Sequence, residues 1–85
     1  PTSEPGHFME AVVIPNPAND VAVVRVQGAT PRRVVLLDIF GKIVLEKSVS
    51  APEFELSVGA LPAGIYLLNV ETDRGRVARK VVVQL

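Results

Sequence analysis

The sequence predicts an all-β fold of two packed antiparallel sheets, and three observations favour it. Sixteen of the 85 residues are valine, which loses rotamer freedom in helices but packs well on a pleated surface. Turn-forming residues interrupt the apolar runs about every eight to twelve positions, which is the strand spacing of a sandwich. No segment shows helical periodicity. We therefore predict an immunoglobulin-like antiparallel β-sandwich of about seven strands, without a disulfide because the chain has no cysteine.

Composition limits the functions open to the chain. Its 85 residues leave room for one hydrophobic core. Nine basic and nine acidic side chains give a net charge of zero, so no global field steers the domain onto nucleic acid or an anionic membrane. No apolar run approaches the roughly 18 residues of a membrane-spanning helix. We predict no nucleic-acid partner and no membrane span.

The N-terminal residues 1–7 have the composition of a linker, with two prolines and a glycine. We predict that they form a flexible linker or cleavage region and that residues 8–85 form the sandwich. His7 is the only histidine, and a linker supplies no partner to orient it as a base or a metal ligand. It is therefore expected to be a solvated tail residue.

The first apolar runs alternate with proline-rich and glycine-rich turns. Residues 8–14 form a strand that ends at Pro15, because proline cannot donate to a sheet ladder. Residues 15–20 predict a dense turn whose Asn and Asp side chains bond to their own backbone. A second strand follows over residues 20–27. Residues 32–40 are apolar on both faces, which is typical of a central strand.

The second half of the chain alternates more regularly. After the turn around Gly41, residues 43–49 predict a strand on which Ile43, Leu45 and Val49 share one face. Residues 53–58 point Phe54, Leu56 and Val58 inward. These three share that face because side chains alternate along a strand.

The chain closes in a hairpin that reverses at Asp73, Arg74 and Gly75, since glycine accepts the positive φ of a tight reversal. Tyr66, Leu68 and Val70 share a face of its first strand. The first and last strands of such a sandwich lie at sheet edges, where unpaired backbone groups can recruit another strand. We accordingly predict that a dimer can form through an edge strand.

Side chains with catalytic or metal-binding chemistry do not cluster, so we predict no catalytic residue, no metal site, no cofactor and no enzymatic activity. Asn16, Asn19 and Asp20 carry the oxygens that calcium prefers, but their spacing matches no calcium loop and turn formation explains them better. Asp38 is a charge among apolar neighbours, and we predict a strand-end carboxylate that accepts backbone or arginine hydrogen bonds near the Phe40–Gly41 turn.

The closing hairpin carries four basic residues: Arg74, Arg76, Arg79 and Lys80. Two interpretations of them stay open. They could form a patch for an anion or a partner. Charges on an edge strand also discourage aggregation, and we favour this second interpretation.

Three blocks of sequence resemble the C-terminal sorting domain of type IX secretion substrates, the Por secretion family of the Bacteroidota. They are residues 13–20, residues 37–44, and residues 61–67 followed by 80–84. Each block alone is a common turn or strand, whereas their order and spacing across about seventy residues are specific. The resemblance assigns the sorting-signal motifs to the following residues: Pro15, Asn16, Pro17, Asn19, Asp20, Asp38, Gly41, Leu61, Pro62, Gly64, Tyr66, Lys80, Val81, Val83 and Gln84.

The resemblance implies that the domain labels a larger cargo protein on its N-terminal side. The outer-membrane translocon of the type IX system would take the cargo from the periplasm to the cell surface or the medium. A gingipain-like sortase would cut in or before residues 1–8 and attach the cargo to anionic lipopolysaccharide. The alternative is a non-catalytic immunoglobulin-like spacer or a carbohydrate-binding module of a surface protein.

The apolar terminus also suggests how such a label is read. We expect the translocon to engage the last strand, residues 80–85, partly by pairing with its free main-chain edge. Strand addition of this kind draws affinity from the backbone and specificity from alternate side chains.

Overall fold

The computed structural model describes residues 9–84 and confirms the all-β prediction. It has seven strands and, within those residues, no helix: β1 (Glu10–Ile14), β2 (Val21–Gln27), β3 (Pro31–Leu37), β4 (Ile43–Ser48), β5 (Glu53–Ser57), β6 (Gly64–Thr72) and β7 (Gly75–Val83). A three-stranded sheet has the order β1-β2-β5, and a four-stranded sheet has the order β4-β3-β6-β7. All paired strands run antiparallel. This is the predicted sandwich.

The core lies between the two sheets and is apolar throughout the described part of the chain. Alternate residues of each strand point into it, and the central strand β3 also buries Val35 on its other face. Val24 and Leu56 come from the three-stranded sheet, while Leu36, Leu68 and Val81 come from the four-stranded sheet. The predicted inward faces of β5 and β6 are confirmed.

The strand β4 departs from the predicted alternation. A β-bulge shifts the register so that Leu36 pairs with Leu45 whereas Leu37 pairs with Ile43. An extra residue in one strand flips the side-chain pattern beyond it. Val44 therefore packs against the core, and Ile43 is 49% exposed on the other face of the sheet. The prediction that Ile43 shares a face with Leu45 is wrong.

The first and last strands lie at edges, as predicted, but the edge of β7 is partly covered. β1 ends at Ile14, and the peptide bonds that precede Pro15 and Pro17 are both cis. The chain then crosses from the three-stranded sheet to the four-stranded one. Ala18 makes a parallel bridge with Val83 at the edge of β7.

The turns gather at two opposite ends of the sandwich. The end that we call the motif pole consists of residues 15–20, 38–42 and 58–63 with the adjoining ends of β6 and β7. The other end, the hairpin pole, consists of Met9, residues 28–30, 49–52 and 73–74. The register fixes this division, since Leu37 pairs with Leu67 and Gly64 pairs with Val83 at one end, while Pro31 pairs with Thr72 at the other.

Candidate functional site

All three sequence blocks of the sorting-signal resemblance meet at the motif pole. Their members are distant in the chain, yet residues of the first block bond to residues 64 and 66 positions later. Residues 61–66 lie beside them because β6 begins where β7 ends. The turn that carries Asp38 and Gly41 follows β3 at the same end. The pole is therefore the candidate site.

Asn16 joins the first block to the last. Its side-chain nitrogen donates to the carbonyl oxygen of Lys80 at 2.9 Å, and its side-chain oxygen accepts the backbone N–H of Val82, also at 2.9 Å. A primary amide offers an NH₂ donor group and a carbonyl acceptor in the spacing of a peptide group, so it can stand in for a neighbouring strand. The predicted role of Asn16 in bonding its own turn is wrong, because its partners lie on β7.

Ala18 extends this contact through its backbone. Its N–H donates to the carbonyl oxygen of Val82 at 2.8 Å, and its carbonyl oxygen accepts the N–H of Gln84 at 2.8 Å. Four hydrogen bonds thus occupy the outward edge over residues 80–84. The prediction that this segment presents a free edge to the translocon is wrong for the folded domain.

The third block packs into the same end through Tyr66. Its ring is 6% exposed in the core, and its hydroxyl donates to the carbonyl oxygen of Pro62 at 2.6 Å. Leu61 is half-buried against the core and Gly64 begins β6 opposite Val83. The tyrosine therefore fixes the loop that leads into the central hairpin.

The middle block forms a tight turn organised by Asp38. One carboxylate oxygen, Oδ1, accepts the N–H groups of both Phe40 and Lys42 at 2.9 Å. The backbone of Asp38 and Lys42 closes the turn at 2.9 Å, and Gly41 adopts a φ of 81°. The prediction of a strand-end carboxylate that accepts backbone bonds is confirmed. Because the turn begins at Asp38, β3 ends at Leu37 and not at Phe40.

The remaining motif residues support the pole in different ways. Val81 and Val83 are 0% and 3% exposed and belong to the core. Asp20 accepts the N–H of Val58 at 2.7 Å through its backbone carbonyl. Pro15, Pro17 and Asn19 lie exposed on the pole. Within residues 9–84 no three potential ligands from His, Cys, Asp or Glu come together in a group that could hold a metal ion.

The basic residues of the closing hairpin do not form one patch. Arg79 reaches across the side of the sandwich, where its Nε donates to the carbonyl oxygen of Ala11 and its Nη1 to that of Ala78, both at 2.8 Å. It thereby covers carbonyl groups of β1 and β7, which favours the edge-protecting interpretation for this residue. Arg74 lies in the turn of the hairpin pole, and Arg76 pairs in register with Glu71.

Arg33 organises the charges on the outer face of the four-stranded sheet. Its Nε and Nη2 donate to Glu46 on β4, and its Nη1 donates to Glu71 on β6 at 3.0 Å. The hydrogen bond with Glu46 holds the pKa of the Arg33 guanidinium above its ordinary value, against a smaller opposing effect of burial. These carboxylates are thus committed to Arg33 near the hairpin pole.

A comparison with known families identifies the family to which the chain belongs. The model of a family described as the secretion system C-terminal sorting domain matches residues 12–84. The chain belongs to this family. Its sorting domains mark proteins for type IX secretion, so this one is a C-terminal sorting signal that interacts with the secretion machinery and serves export to the cell surface or the medium. No curated protein matches the chain.

The surface of this sorting domain offers little to a carbohydrate. Among the described aromatic residues only Phe40 exposes its ring, since Tyr66 lies in the core and Phe54 packs against it. Phe8 and His7 lie outside the described residues. Sugar-binding faces stack rings on exposed aromatic side chains, and nothing here favours that alternative. Residues 9–84 contain no helix that is long and apolar enough to cross a membrane.

The sequence analysis missed an apolar surface of this sorting domain. At the motif pole and beside it, five large side chains are exposed: Ile39, Phe40, Ile43, Ile65 and Leu67. The alternation of β6 contained a signal, because Ile65 and Leu67 stand opposite the inward face of Tyr66 and Leu68. The exposure of Ile43 could not be predicted from the alternation of residues 43–49, because the β-bulge reverses the side-chain pattern there.

Proposed function

We propose that this sorting domain directs a larger protein, attached at its N-terminal side, from the periplasm across the outer membrane. The observation that carries the proposal is the arrangement of the two poles. The three motif blocks lie at the motif pole, whereas Met9, the first described residue, lies at the hairpin pole, where its sulfur is 3.4 Å from the hydroxyl of Thr72.

The two poles are far enough apart to separate the cargo from the motif blocks. β6 and β7 have nine residues each, which at about 3.3 Å per residue separates the poles by roughly 30 Å. A cargo joined through residues 1–8 would leave from the hairpin pole. The motif pole then points away from the cargo and stays accessible to the translocon.

In this proposal the domain acts by being recognised and performs no chemistry. The type IX outer-membrane translocon reads the motif pole of the folded domain. A gingipain-like sortase then cuts in or before residues 1–8 and joins the cargo to lipopolysaccharide at the cell surface. Residues 1–7 contain two prolines and a glycine, a composition that suits a protease that needs an extended substrate.

In this proposal the last strand is not recognised by simple strand addition. The backbone of residues 80–83 pairs with β6 on one side. On the other side, backbone groups of residues 80–84 bond to the side chain of Asn16 and the backbone of Ala18. The motif pole is consequently proposed to be read as a folded surface. Its side chains and turns, and not an open edge, supply the specificity.

The experiment attaches residues 1–85 to the C-terminus of an unrelated periplasmic reporter in a host with a type IX system. We expect the reporter to become accessible to protease added outside the cell, and to stay inside in a strain that lacks the translocon. Mass spectrometry of the released reporter would locate a cut in or before residues 1–8. A folded fusion that stays in the periplasm of the competent strain would contradict the proposal.

A further inference from the structure

The outer face of the four-stranded sheet carries an apolar surface next to the motif pole. We call it the outer patch, and it consists of Ile39, Phe40, Ile43, Ile65 and Leu67. Phe40 and Ile39 are 87% and 73% exposed, and the other three are between 43% and 52% exposed. Contiguous apolar surface of this kind on a small soluble domain marks an interaction site.

The register shows that the strand residues of the outer patch are continuous. Leu37 pairs with Ile43 on one side and with Leu67 on the other, so the three side chains form a row across the sheet. Ile65 lies two residues before Leu67 and therefore on the same face. The turn with Ile39 and Phe40 follows Leu37 directly. The bulge in β4 completes the row, because without it Ile43 would point into the core.

The turn of residues 38–42 is the tip of the outer patch, and hydrogen bonds hold its backbone in one conformation. Asp38 binds the N–H groups of Phe40 and Lys42, and the backbone of Asp38 bonds to both Gly41 and Lys42. A turn whose backbone is already ordered loses less conformational entropy when a partner binds it. The fold thus presents Phe40 in advance of any contact.

Two lysines, Lys42 and Lys80, border the outer patch against one carboxylate, that of Asp38. Lys42 is exposed in the turn, and exposed Lys80 pairs in register with Leu67 at the border of the patch. The carboxylate of Asp38 is occupied by backbone donors, while Glu46 and Glu71 lie further along the face with Arg33. The border is therefore positive.

We propose that the outer patch is the docking surface for a protein of the secretion machinery that offers an apolar pocket bordered by carboxylates. This inference rests on the proposed function and names the surface through which it works. Phe40 would fill the pocket, and Lys42 and Lys80 would meet the carboxylates. Buried aromatic anchors with complementary charges at the rim are the usual anatomy of a specific interface.

Two other occupants fit the charges less well. In a two-fold contact of the outer patch with itself, Lys42 and Lys80 of both copies would come to the same interface, and like charges there oppose association. A lipid surface gains about 1 kcal/mol per Lys or Arg near an anionic membrane, so two lysines and a short tip on a neutral domain provide weak anchoring. A protein pocket satisfies both the apolar tip and its positive border.

The test measures surface delivery of the reporter fusion with substitutions in and outside the outer patch. Phe40→Ser combined with Ile65→Thr should lower the delivered fraction at least tenfold, and so should Lys42→Glu combined with Lys80→Glu. Val12→Thr is the matched control, because Val12 is a 38% exposed residue on the outer face of the other sheet. Urea unfolding of each purified domain establishes that the variants fold.

The outcomes separate the two proposals. If the unsubstituted fusion is not delivered, the proposed function fails. If it is delivered and both patch variants are delivered equally well, the docking surface is overturned. Sedimentation of the purified domain with vesicles of phosphatidylcholine and phosphatidylglycerol that depends on Phe40 would replace the pocket by a lipid surface. A dimer in analytical ultracentrifugation that Phe40→Ser dissociates would replace it by a second copy.

Discussion

The side chain of Asn16 occupies the position of a strand partner beside Lys80, whose carbonyl oxygen it binds at 2.9 Å. The same amide accepts the N–H of Val82, so it satisfies two backbone groups at the edge of β7. Unpaired edges recruit other strands. A single residue of the first motif block therefore both closes this edge and ties the first block to the last.

The strength of that contact can be measured by removing the amide. Asn16→Ala loses two hydrogen bonds, each with a net value of about 0.5–1.5 kcal/mol, and should lower the free energy of unfolding by about 1–2 kcal/mol because the site is exposed. Urea denaturation measures the change. Asn19→Ala is the control, since the side chain of Asn19 makes no hydrogen bond within the described part of the chain. Equal effects of the two substitutions would contradict the assigned role.

The hydroxyl of Tyr66 provides a second test of the motif pole. Tyr66→Phe keeps the ring in the core and removes the hydrogen bond to the carbonyl oxygen of Pro62. We expect a loss of about 1 kcal/mol in the free energy of unfolding, measured by urea denaturation, with an unchanged slope. An unchanged midpoint would show that the hydroxyl does not hold the loop.

The turn of the middle block can be tested through a single atom, Oδ1 of Asp38. Both hydrogen bonds of the Asp38 side chain end on Oδ1. Asp38→Asn retains a carbonyl oxygen there, whereas Asp38→Ala removes it, and the alanine variant should lose about 2 kcal/mol of stability and the asparagine variant less than half of that. Thermal unfolding by circular dichroism compares the two. Equal losses would contradict the single-acceptor geometry.

Arg79 should protect the domain from self-association. Its guanidinium covers carbonyl oxygens of Ala11 and Ala78, so Arg79→Ala uncovers acceptors on two edge strands. We expect the sedimentation coefficient of this variant to rise with protein concentration. Arg76→Ala, on the same strand, should behave as the unsubstituted domain. The predicted edge-strand dimer would lose its support if Arg79→Ala stayed monomeric over the same range.

The sequence predicted the elements that depend on local pattern and missed those that depend on distant partners. The alternation of residues 53–58 and the reversal at Gly75 need only neighbouring residues, and both were predicted correctly; Gly75 has a φ of 123°. Asn16 also looked local, because asparagine is common in turns, but its partners lie 64 and 66 residues away. The bulge beside Leu37 gives no signal in composition, so the outward position of Ile43 was missed.

The structure also changes which experiments are informative. Removing residues 81–85 from a fusion would test recognition of the last strand only if the domain stayed folded. Val81 and Val83 are core residues at the end of β7, so deleting them removes buried apolar side chains and exposes the core to solvent. Substitutions of exposed residues at the motif pole separate recognition from folding.

The central claim is that the secretion machinery recognises the folded domain, and a competition experiment with free domain tests it most directly. The reporter fusion is produced together with an excess of the isolated domain in the periplasm, and the surface fraction of the reporter is followed as the excess rises. We predict that the fraction falls with the amount of free domain and is unaffected by an unrelated immunoglobulin-like domain. Delivery that is indifferent to a large excess of folded free domain would contradict the account.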